Sequence, residues 1–101
     1  MKRRNLLVIV RSGLDRRLYA HEAIDAALVC AAFDMDVSVM FEGDGAEFLH
    51  PPHFDKLFES GSPDEFARIF TCTPAPQAHI EALSIEQAMH MLGAHQHIFV
   101  V

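Results

Sequence analysis

The spacing of hydrophobic positions changes several times along the chain, and each change marks an element. Leu6-Leu7-Val8-Ile9-Val10 is an unbroken apolar run, short enough for a strand covered on both faces. After a loop over residues 11–17 the spacing becomes helical. Ile24, Ala27, Leu28 and Ala31 recur at three and four residues and predict a helix over residues 18–32. Ala23, Ala26 and Cys30 make its flanking face apolar as well, so this helix is expected to lie close to a sheet and to other helices. The chain turns at Asp34-Met35-Asp36, and Val37, Val39 and Phe41 then alternate with Ser38 and Met40. Only Ser38 in that run is polar, which predicts a second strand with both faces covered. Gly43-Asp44-Gly45 reads as a turn opening a short helix over residues 46–50, stopped by Pro51-Pro52.

The second half is punctuated more often. Phe54, Leu57 and Phe58 predict another short amphipathic helix, and Ser60-Gly61-Ser62-Pro63 a loop. Arg68-Ile69-Phe70-Thr71-Cys72 is a third strand, broken by Thr73-Pro74-Ala75-Pro76, and Ile80 and Leu83 belong to a short fourth. Ser84-Ile85-Glu86-Gln87 has the form of a capping box, in which each end residue satisfies a backbone amide of the other. The helix it opens carries Ile85, Ala88, Met89 and Leu92 on one face and is expected to end at Gly93. Ile98-Phe99-Val100-Val101 is a final strand. The alternation predicts one three-layer α/β domain over residues 1–101, with a mainly parallel sheet of about five strands.

Composition narrows the function classes. Half of the 101 residues are hydrophobic and 22% are charged, which fits a globular chain and excludes a disordered one. No apolar run approaches the roughly 20 residues of a membrane span. Met1-Lys2-Arg3-Arg4 before Leu6 superficially resembles a signal peptide, but the apolar run is too short and Arg11 follows it without a small-residue cleavage site. A cytoplasmic strand is the expectation. A net charge of −6 argues against direct grip on nucleic acid. Lys2, Arg3, Arg4, Arg11, Arg16 and Arg17 nevertheless cluster, either as a solvated rim or as a docking surface for an acidic partner protein. Two cysteines in unlike surroundings make no disulfide framework and point to a reducing compartment. A first helix apolar on more than one face, with Phe54, Phe58, Met89 and Met91, exceeds what one small core absorbs, so an oligomer is expected.

Cys72 is the candidate for chemistry. It ends a predicted parallel strand, at the edge of an α/β sheet where reactive groups gather. A thiolate there could take sulfur from a donor persulfide, provided a cation or helix N-terminus lowers its pKa. Arg68, four residues upstream, leans the same way at some distance. The alternative is a half-buried small hydrophobe. Cys30, mid-helix among alanines, reads as packing. His50, His53, His90, His95 and His97 form no metalloprotease pair and no cysteine stands at zinc-ligand spacing, so neither metal nor cofactor is expected. Asp44 between two glycines is first a turn former. The loop Arg11-Ser12-Gly13-Leu14-Asp15 lacks both the phosphate-cradling series of a flavodoxin-like domain and the acidic pair of a receiver.

Glu22, Ala23, Ile24, Asp25 and Leu28, then Ala32, Phe33, Asp34, Asp36 and Val37, then Phe41, Gly43, Asp44, Gly45 and Leu49 stand in an order and spacing that resembles the DsrE/DsrF family of small sulfur-relay proteins. Within it the DsrF/TusC branch is most similar. The resemblance implies a cytoplasmic hetero-oligomer with paralogous subunits of the TusB/TusD or DsrE/DsrH type, together with a sulfur-carrier protein. The former assembly serves thiolation of the tRNA wobble uridine, and the latter serves sulfur oxidation. The family's sulfur-carrying branch places its active cysteine after the strand that matches Arg68 to Cys72, whereas the DsrF/TusC subunit is regarded as a structural partner. The family usually has a helix after this cysteine. Here only residues 73–79 separate Cys72 from Ile80, which removes an amide-rich helix start near the sulfur. The resemblance therefore implies a non-catalytic or weakly catalytic relay subunit, or alternatively a sulfurtransferase carrying a persulfide on Cys72.

Overall fold

The structure is a computed structural model that describes residues 4–73 and 80–101. Its strands are β1 (Asn5–Val10), β2 (Asp36–Phe41), β3 (Arg68–Thr71), β4 (Glu81–Ala82) and β5 (His97–Val100), and its helices α1 (Arg17–Ala32), α2 (His53–Leu57) and α3 (Ile85–Ala94). All strand pairs are parallel, in the order β4-β3-β2-β1-β5. The three-layer α/β architecture expected from the alternation of elements is thus present. The run after the N-terminal basic residues is β1, paired on both sides.

The strand order decides where the helices go. From β1 to β2 to β3 the chain steps one way across the sheet, and right-handed crossovers put both connections on one face. Val8, Val10, Val39, Phe41 and Ile69 pack there under Ile24, Ala27 and Leu28 of α1 and Phe54 and Leu57 of α2. From β4 the chain returns past the whole sheet to β5, beside β1, so α3 covers the opposite face. That smaller core joins Leu7, Ile9, Met40 and Phe70 to Ala88, with Met91 and Leu92 at its margin. Ser38 is buried within β2, as covering of both faces requires.

Three local expectations are corrected. Residues 46–50 do not form a separate helix after the glycine turn; a 3-10 turn runs over Gly43–Leu49 and contains both glycines. Gly43 sits at φ +56°, and a Cβ on Gly45 would overlap the carbonyl oxygen of Val10, so the pair lets the turn lie on the end of β1. Second, α3 does not stop at Gly93. It runs to Ala94 and ends where the Nδ1–H of His95 donates to the Met91 carbonyl at 2.7 Å, satisfying a helix-end acceptor from a side chain. Third, Ala88 is the buried residue of α3, whereas Ile85 and Met89 are 73% and 65% exposed. The small Ala88 allows close approach to the sheet, so the helix turns that side inward. The expected surplus of large apolar residues is also distributed differently: Phe54 is core, Phe58 stacks between Phe54 and Phe66, and Met91 lies against Arg68. Met89 alone of those four stands free of the chain's own packing.

Candidate functional site

Cys72 follows β3 directly, and parallel register decides its neighbours. Val10 pairs with Phe41, Phe41 with Thr71 and Thr71 with Ala82. The next residue on each strand therefore comes into line along the carboxyl edge as Arg11, Glu42, Cys72 and Leu83. Alternation puts these side chains on the α3 face, where Cys72 and Leu83 join the margin of the smaller core. The connection leaving β2 lies over the α1 face and the one leaving β4 over the α3 face. The side of the crossovers changes across β3, and the carboxyl end of that strand is where open α/β sheets place ligands.

The electrostatics there run against a ready thiolate. Burial pushes the Cys72 thiol above its ordinary pKa, and the Glu42 carboxylate pushes it further the same way. Among the described residues the nearest cation on this edge, Arg11, lies one strand further away, with Nε 3.5 Å from Glu42 Oε1. Arg68 shares the face but is committed elsewhere. Its Nε and one terminal nitrogen donate to the two oxygens of Glu81 at 3.0 and 2.7 Å, and the other terminal nitrogen approaches Met91 Sδ at 3.3 Å. The guanidinium also lies 5.5 Å from the centre of the Phe70 ring. Glu81 hydrogen-bonds this guanidinium and is held below the usual carboxylate range, while Arg68 is held above its own. At the start of α3 the amides of Ser84 and Gln87 are already taken. The expected capping box is formed, with Gln87 N donating to Ser84 Oγ at 3.1 Å and Ser84 N to Gln87 Oε1 at 2.9 Å.

Thr71, fully buried, and Thr73 fix the chain on either side of the cysteine. Their hydroxyls lie 3.0 Å apart, and Thr73 N donates to Thr71 Oγ1 at 3.2 Å. The two prolines expected to stiffen this loop, Pro74 and Pro76, lie outside the described residues. A half-buried, protonated thiol on a fixed strand end can pack and can react slowly with a strong electrophile. Among the described residues nothing lowers its pKa to make it a nucleophile at neutral pH.

The other candidates separate. Cys30 is half-buried at the margin of the larger core, in keeping with packing. Asp44 is exposed within the 3-10 turn. Among the described residues no group of three or more His, Cys, Asp or Glu side chains could hold a metal ion. Of the basic cluster, Arg11 is paired with Glu42, Arg4, Arg16 and Arg17 are exposed, and Lys2 and Arg3 lie outside the described residues. Sequence reasoning missed Glu42. The available signal was its place one residue after a strand, the same place Cys72 holds after β3. It also missed His21, whose Nδ1 lies 3.5 Å from Asp25 and whose Nε2 lies 3.8 Å from Glu59.

Among the described residues no helix is long and apolar enough to cross a membrane. No family model matches the chain, and no curated protein matches it significantly.

Proposed function

We propose that this chain is a non-catalytic or weakly catalytic subunit of a cytoplasmic sulfur-relay hetero-oligomer of the TusBCD or DsrEFH kind. In this role it would support persulfide transfer in tRNA 2-thiouridine formation or in sulfur oxidation. The family reading rests on the resemblance of residues 20–49. The observation that carries the subunit reading is an apolar surface that none of the described residues covers. Tyr19, Ala26 and Phe33 recur every seven residues along the outward side of α1 with Val29 beside them, and Tyr19 and Phe33 are 60% and 79% exposed. Next to them Phe99 and Val100 are about half exposed on β5, an edge strand whose outer backbone groups have no strand partner among the described residues. A groove of about 410 Å³ joins the two and is lined by Tyr19, Ala26, Phe99 and Val100, with Arg16 and Glu22 at its side. Contiguous exposed apolar surface of this kind marks an interface.

The surroundings of Cys72, which keep its thiol protonated, favour the structural role over the carrier role. In the alternative, the Cys72 thiolate would attack the terminal sulfur of a donor persulfide, breaking the donor S–S bond and expelling the donor as a thiolate. Burial, and Glu42 after it, opposes the deprotonation that this step requires.

Co-expression with paralogous relay subunits tests both parts. The wild-type chain is expected to co-purify with them, and the double substitution Tyr19→Asp with Phe33→Asp to abolish this without lowering the melting temperature. Unchanged co-purification of that variant, or a wild-type chain that stays monomeric with every relay paralogue, would overturn the subunit reading. Cys72→Ser is expected to leave assembly and sulfur flux nearly intact. Loss of flux in an assembled complex, with loss of a one-sulfur mass gain on the chain, would instead establish the carrier.

A further inference from the structure

A second cavity, on the opposite side of α1 from the interface, has a different chemistry. It measures about 400 Å³, within the range of small-molecule sites, and lies between the first turns of α1 and α2. Its floor is Phe48 and Leu57, which belong to the larger core and are almost fully buried, so the base is fixed. Arg17 and Lys56 stand on its walls, one from each helix, with the imidazoles of His21 and His53 and the carboxylate of Glu59.

The charges are unevenly satisfied. His21 answers the nearby carboxylates, with Asp25 at one ring nitrogen and Glu59 at the other. At 3.8 Å Glu59 is beyond hydrogen-bonding distance, and His21 Nε2 is buried without a hydrogen-bond partner. The Arg17 and Lys56 side chains form no ion pair or hydrogen bond among the described residues, although the protein as a whole is acidic. Two uncommitted cations above an apolar floor suit a ligand with one anionic head and a flat or short apolar body.

We infer that the cavity between α1 and α2 binds a small organic anion, its carboxylate, sulfonate or phosphate held by Arg17 and Lys56 and its apolar body resting on Phe48 and Leu57. This site stands apart from Cys72 and does not depend on the relay reading. Amide chemical shifts of the full chain, titrated with naphthalene-1-sulfonate and with the neutral naphthalene-1-sulfonamide, test it. The sulfonate is expected to shift the amides of Arg17, His21, Phe48 and Lys56, to weaken as salt rises, and to bind roughly tenfold or more tightly than the sulfonamide. Arg17→Gln with Lys56→Gln is expected to remove that preference, and Arg16→Gln, on the other groove, to keep it. Equal binding of the neutral compound, an unaffected double variant, or shifts centred on Phe99 would overturn the assignment. So would a hexaglutamate peptide that shifts these amides when the sulfonate does not, because the site would then serve an acidic protein segment. The sulfonamide and salt comparisons decide the matter even if the double variant fails to fold.

Discussion

The two faces of the sheet are finished differently. The α1 face is closed by a sixteen-residue helix, a 3-10 turn and α2, and it carries most of the buried aromatic and branched side chains. The other face has only the ten residues of α3, which bury Ala88 and leave Ile85 and Met89 in solvent. Along the β5 edge both layers remain open. Stability is therefore concentrated on one side of the sheet, and the side chains available to a partner lie on the outer surface of α1, on β5 and on α3. Cys72 belongs to the thinly covered face, where a thiol is half-buried without being walled in.

The largest expected difference between the faces comes from truncation. Phe54→Ala removes a ring packed against Phe41 and Phe58 and should cost about 3–5 kcal/mol in urea unfolding. Met89→Ala on the other face should stay within about 0.5 kcal/mol. Similar losses at both positions would break the comparison. Gly45→Ala forces a methyl group into the Val10 carbonyl and should cost about 1–3 kcal/mol in the same assay, since backbone cannot move aside as a side-chain tip can. Ser84→Ala opens the capping box and should cost about 1 kcal/mol. Hydrogen exchange should then rise first in α3, and an equal rise in α1 would show that the two faces unfold as one unit.

The smallest effect concerns ionisation. Burial and Glu42 raise the folded-state pKa of Cys72, so its neutral thiol contributes stability that is complete below the unfolded-state pKa. That contribution is lost as pH rises through the folded value, on the alkaline side. Alkylation of Cys72 should accordingly have its midpoint at higher pH than that of a free thiol. Glu42→Gln should move the midpoint down by a fraction of the shift, because burial is the larger cause. A midpoint below that of a free thiol would reverse the electrostatic reading of this edge.

Much of the fold was legible because hydrophobic period is a property of neighbouring residues. The run at Leu6 to Val10, the alternation from Val37 to Phe41 and the Ser84–Gln87 box each declare an element over a few positions, and each is found there. The burial of α3 was not legible. Its apolar residues cover more than one stripe, and the flat patch of Leu7, Ile9, Met40 and Phe70 beneath it favoured the side with the small Ala88. The site was legible only as a position. Cys72 could be placed at a strand end, but its ionisation depends on burial and on a residue from another strand.

The sequence alone determined the succession of strands and helices, the glycine turn, the capping box and the absence of a cation immediately beside Cys72 in the chain. Tertiary structure decided the strand order, the thin cover of the second face and the line of Arg11, Glu42, Cys72 and Leu83. The physical reason is range: propensity and periodicity act between near neighbours. Parallel register is set by crossovers and by the packing of whole layers, and only register brings a carboxylate from the end of β2 to the thiol that follows β3.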